Sequence, residues 1–113
     1  ERVRPSEKIN QKGTVEVADV KLEAQNLAKD NAMAAGQEAC DKIAALACQP
    51  SLSCGKSGET HTFTIDTGSP SVIDTYQKDD GGNIVRYFRA GKPWYSIAKA
   101  TGSCIVTTAC SPK

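Results

Sequence analysis

The strongest constraint on this chain is a run of small residues spaced for one face of a helix. Between Val20 and Cys48, a period of 3.6 residues places Ala24, Ala28, Ala32, Ala35, Ala39, Ile43 and Leu46 on one side. Glu23, Asn26, Asp30, Gln37 and Asp41 fall on the other side. Alanine is the best helix former and adds almost no bulk, so such a helix lies very close to whatever covers it. Asp19 is placed to cap the first turn, and Pro50 stops the last one. Gly36 costs about 1 kcal/mol relative to Ala inside a helix. It reads as a kink, as a point where another backbone approaches, or as a split into two helices, with one long helix preferred.

A single helix is not stable in water, so the remaining chain must supply its cover. Gly13 to Val20 reads as a short strand. After the helix, Thr60 to Thr67 alternates cleanly, with His61, Phe63 and Ile65 on one side. Ser71 to Lys78 and Ile84 to Ala90 flank Asp79-Asp80-Gly81-Gly82-Asn83, the strongest turn signal in the chain, and read as a hairpin. Trp94 to Thr101 and Ser103 to Cys110 read as two further strands about Thr101-Gly102. Short turns join antiparallel neighbours. The expected class is therefore α+β: one long Ala-lined helix on a four- to five-stranded antiparallel sheet. The expected order is β-α-β-β-β-β, with a meander after the helix. Residues 1–12 are polar and lack an apolar period, so they read as a flexible N-terminal arm before a single domain at 13–113.

Five cysteines in 113 residues favour an oxidising compartment with two disulfides and one cysteine left over. The candidates are Cys40, Cys48, Cys54, Cys104 and Cys110. Cys48 and Cys54 close a short loop through Pro50, so a local bridge is sterically open to them. Cys104 and Cys110 on one straight strand would lie about 20 Å apart, too far to bond. They bond each other only if the chain turns between them; otherwise one of them reaches across to Cys40 or to the Cys48/Cys54 loop. Export to the periplasm, the cell surface or the medium is expected on this ground. The chain opens on Glu1, which reads as a mature or trimmed form, so a leader or an anchor removed earlier is compatible with it. No apolar run approaches the roughly 18 residues that span a bilayer, so no membrane span is expected.

The sharpest candidate site lies between Ile84 and Lys99. Four of the six aromatics fall there, beside Arg86, Arg89, Lys92 and Lys99, with no acid. The expected binding residues are Arg86, Tyr87, Arg89, Lys92, Trp94, Tyr95 and Lys99. Basic and aromatic groups together suit a protein partner, an anionic ligand or a carbohydrate. The net charge of +1 gives no field for nucleic acid, which is disfavoured. A plainer reading competes: Phe88 and Trp94 fill the core while Arg86 and Lys99 solvate the outer face. A small domain with few aromatics favours that reading.

Other chemistries lack their parts. The cysteine spacings do not match a zinc site, and His61 is the single histidine, so no metal is expected. The same lack of a base argues against a cysteine nucleophile. The acidic turn lacks the ligand pattern of a calcium loop. Gly55-Lys56-Ser57-Gly58 lacks the first glycine of a phosphate loop and the helix after it, so no cofactor is expected. No motif is specific enough to point to a family. The expected function is that of a small exported binding or interaction module, disulfide-stabilised and without catalytic activity. The alternative is a self-associating structural protein, a homodimer through the Ala-lined helix or the odd cysteine. A small enzyme or an enzyme inhibitor is the remote alternative.

Overall fold

The computed structural model describes residues 2–3, 7–47, 52–54, 60–66, 68–108 and 110–112, with side chains for 8–43, 62–66 and 68–105. In chain order the strands before the helix are β1 (Arg2–Val3), β2 (Glu7–Lys12) and β3 (Glu16–Ala18). The helix α1 covers Lys21–Ala47. It is followed by β4 (Leu52–Cys54), β5 (Thr60–Ile65), β6 (Ser71–Lys78), β7 (Ile84–Val85), β8 (Trp94–Thr108) and β9 (Cys110–Pro112). The expected class holds: one helix packs against an antiparallel sheet.

β8 is the spine of that sheet. Cys104 pairs with Glu7 of β2 and with Phe63 of β5, so these strands occupy opposite edges of β8. β1 and β3 continue the β2 side, and β6 continues the β5 side. Gly102 does not interrupt β8, which runs unbroken for 15 residues where two strands were expected. The glycine is there for space. A Cβ at 102 would lie 2.8 Å from both the Ile65 Cα and a ring carbon of Phe63. The polar segment read as an arm is paired with β8 at residues 2–3 and 7–12, and Ile9 within it is buried in the core. Its alternation of a single apolar residue among charges is too sparse to register as a strand pattern.

Alternate residues of β8 meet the helix. Ser96, Ala98, Ala100, Gly102 and Cys104 are buried beneath it. On α1 the fully buried row is Ala24, Ala28, Ala32 and Cys40, with Gly36 also buried. This row steps by four, whereas Ala35, Ala39 and Ile43 of the expected stripe are only half-buried. Rows at i±4 run obliquely to the helix axis, and a twisted sheet meets a helix along such a ridge. Cys40, which is not part of the expected stripe, lies at the centre of the contact. It is bonded to Cys104, with a Cα–Cα distance of 5.3 Å. Gln37, expected on the wet face, turns inward and accepts the Phe63 N–H at 3.2 Å.

Small residues let the two layers approach closely. Gly13 lies against the helix backbone, where a Cβ would be 3.0 Å from the Ala32 nitrogen. The Thr14 N–H donates to Asn31 Oδ1 at 2.6 Å, tying the β2–β3 link to α1. Near the start of α1, Gln25 donates to Thr75 Oγ1, which shares a hydrogen bond with Ser96 Oγ. Ala24, Ala28 and Ala32 of the stripe are thus covered within the chain, while Ala35, Ala39 and Ile43 stay half-buried.

Candidate functional site

The segment after β6 is held by a turn that builds itself. Asp79 sits one residue beyond β6, and its Oδ1 accepts the N–H groups of Gly81 (3.0 Å) and Asn83 (2.8 Å). Gly82 takes a φ of 81°, which a side chain would disfavour. The backbone hydrogen bond from Asn83 is the main reason the Asp79 carboxyl sits below the usual carboxylate range. The hairpin expected here is present, but its return strand β7 is only two residues long. Residues 86–93 leave the ladder as a loop.

That loop is pinned from inside by Gln77, which is 1% exposed. Its Nε2 donates to the carbonyls of Arg89 (2.8 Å) and Lys92 (3.2 Å), and its Oε1 accepts the Arg89 N–H (2.7 Å). One amide side chain therefore stands in for the missing strand pairing. The Arg89 guanidinium adds a hydrogen bond to the Lys78 carbonyl at 2.9 Å. Asp80 receives Arg89 at 3.1 Å and Lys92 at 3.2 Å. The hydrogen bond from Lys92, then that from Arg89, holds the Asp80 carboxyl below its ordinary range.

The expected binding residues separate into two groups. Arg89, Lys92 and Trp94 line a cleft of about 410 Å³ together with Asp19, Gly91 and Phe88. Phe88 lies 6.3 Å from Trp94 between ring centroids, and Lys21 stands 5.2 Å over the Trp94 ring. Phe88 does not fill the core. It is 71% exposed, and the adjacent Tyr87 is 63% exposed. Two successive residues of a loop that has left the ladder have no second layer to bury them.

Arg86, Tyr95 and Lys99 belong instead to the sheet face away from α1, because Tyr95 and Lys99 alternate with the buried residues of β8. Tyr95 stacks on Tyr76 at 5.5 Å with planes 8° apart. Lys78 lies 4.5 Å over Tyr95, and Arg86 lies 5.8 Å over Tyr76. Arg86 also forks onto both carboxylate oxygens of Asp74, with Nη2–Oδ2 at 3.2 Å. This guanidinium contact depresses the Asp74 carboxyl. Lys99 faces Lys12 across the β2–β8 ladder, and among the described residues neither forms an ion pair.

Sequence reading missed Gln77, Asp74 and Asp80. The absence of acids between Ile84 and Lys99 gave the stretch its basic look, but β6 and its turn deliver two carboxylates onto it. The available signal was the alternation of β6, which puts Thr75 and Gln77 on the helix side and Asp74, Tyr76 and Lys78 on the other. His61 lies in β5 opposite Val106, and its side chain is outside the described residues. The loop Gly55-Lys56-Ser57-Gly58 is outside them too. Among the described residues no cluster of His, Cys, Asp and Glu is arranged to hold a metal, and no helix is long and apolar enough to cross a membrane. Comparison with protein-family models, with curated proteins and with solved structures returned no match.

Proposed function

We propose that this protein is an exported binding domain that engages a partner protein through the Phe88–Trp94 end of its sheet. The observation that carries this reading is the exposure of Phe88, a large aromatic 71% open to solvent on a loop that Gln77 holds in one conformation. An exposed aromatic beside a second ring is the usual anchor of a protein interface. A loop pinned in advance loses less freedom on binding than a mobile one. The charges around it speak against an anionic ligand. Arg89 and Lys92 already share Asp80, and Arg86 is taken by Asp74, so part of the positive charge there is already offset. Export is supported by the Cys40–Cys104 bond, because disulfides persist where the environment is oxidising.

The test is photo-cross-linking in the producing organism, with p-benzoylphenylalanine at position 88 and, as control, at Ile105, which is exposed in β8. A light-dependent adduct of one defined mass at 88, absent at 105 and lost on Trp94→Ala, is expected. Identical adduct patterns at the two positions, or none at 88, would overturn the assignment. Alkylation of intact cells with a membrane-impermeant maleimide, after a reducing pulse, reads the compartment separately.

A further inference from the structure

β4 and β9 form a sheet of their own, apart from the one built on β8. It has three pairs: Leu52 with Pro112, Ser53 with Ser111, and Cys54 with Cys110. So short a two-stranded ladder is not stable in water by itself. The Thr60–Thr107 pair of β5 and β8 already brings the two strands near each other, but three pairs alone hold the ladder itself. The ladder therefore calls for a further constraint, and the register supplies its parts: two cysteines stand directly opposite each other. Opposed Cα atoms in antiparallel strands are about 4.5–5.5 Å apart, inside the window of about 4.4–6.8 Å that a disulfide spans.

We infer that Cys54 and Cys110 form a second disulfide, which staples the C-terminal strand to β4. The reaction is exchange with a disulfide donor of the oxidised-glutathione type. One cysteine thiolate attacks the donor, releasing one donor thiol and forming a mixed disulfide. The second thiolate displaces the other donor thiol and closes the S–S bond. Two protein thiols are oxidised and the donor is reduced to two thiols, so electrons and protons balance. With Cys40–Cys104 this uses four of the five cysteines and leaves Cys48 as the one thiol. The pairing replaces the local Cys48–Cys54 bridge that sequence alone left open. It does not depend on the binding function proposed above.

The full chain, equilibrated in a glutathione redox buffer, is denatured in acid, capped with N-ethylmaleimide, and digested with trypsin and then thermolysin. Thermolysin separates Cys48 from Cys54 before Leu52, and Cys104 from Cys110 before Ile105. A fragment joining the Cys54 and Cys110 peptides is expected, with maleimide on neither. In Cys54→Ser the alkylated thiols should double from one to two, the new one being Cys110. A Cys48–Cys54 or Cys48–Cys110 fragment, or maleimide on Cys54 or Cys110 of the unsubstituted chain, overturns the inference.

Discussion

The ring of Phe63 occupies the space that a side chain at Gly36 would need. A Cβ placed on Gly36 would come within 2.9 Å of three ring carbons at once. Replacing a helix glycine by alanine ordinarily gains up to about 1 kcal/mol. Here the sign should reverse, because overpacking a closed contact costs about 1–3 kcal/mol. Gly36→Ala is expected to lose about 1–2 kcal/mol on balance, read as a lower urea midpoint at unchanged slope. Adding Phe63→Leu should recover part of that loss. A more stable Gly36→Ala protein would show that the ring sits elsewhere.

The disulfide beneath the same helix links residues 64 apart in sequence. Closing a loop of that size in the unfolded chain is worth about 4 kcal/mol in the chain-entropy account. Cys40→Ala/Cys104→Ala should therefore unfold at a clearly lower denaturant concentration than the unsubstituted chain, both compared without reductant. Equal midpoints would mean that the bond constrains nothing the packing does not already hold.

The helix and its close cover were legible because alanine spacing and the absence of bulk are properties of neighbouring residues. At Gly36 a backbone approach is among the readings, whereas the neighbour is the side chain of Phe63. What was not legible depends on partners far along the chain. Cys40 falls outside the alanine stripe, and only the oblique ridge on the sheet puts it at the centre. Gly102 looked like a breaker because nothing local says that Phe63 needs its space. The site was half legible. Its basic and aromatic residues could be read off the chain, but not the carboxylates of Asp74 and Asp80, which reach them through β6 and the turn after it.

The two phenylalanines should respond oppositely to truncation. Phe63 is 6% exposed between helix and sheet, so Phe63→Ala should cost about 3–5 kcal/mol. Phe88→Ala should cost no more than about 0.5 kcal/mol, as at other open surface positions. Because Trp94 is the single tryptophan and Phe88 stands beside it, the same variant should shift the emission spectrum. A large stability loss at 88 would return this ring to a structural role and weaken the binding proposal.

Gln77 offers a separate test of how the loop is held. Gln77→Leu keeps the volume roughly but leaves the Arg89 N–H and the carbonyls of Arg89 and Lys92 without their partner. Unpaired buried groups cost about 1–3 kcal/mol. Exchange of the Arg89 amide should quicken about tenfold, which corresponds to about 1.4 kcal/mol of local opening. Unchanged exchange would show that the loop is held by its ion pairs alone.

The acidic turn should give way in acid. The Asn83 amide holds the Asp79 carboxyl below the ordinary Asp value of about 3.9, and Lys92 and Arg89 do the same for Asp80. A carboxyl whose folded value is depressed binds its proton less readily in the native state than in the unfolded one. Its contribution is therefore complete above about pH 3.9 and is lost as the pH falls through the lower folded value. Asp80 is exposed and Asp79 only partly covered, so solvent screens both and the effect is local to the turn. In a pH titration followed by NMR, the Gly81 and Asn83 amides should shift together with a midpoint below about 3.9. Asp79→Asn keeps an oxygen acceptor but removes the titration, so the same amides should no longer follow Asp79. A midpoint at or above the ordinary value would mean that this carboxylate is not hydrogen-bonded in the folded turn.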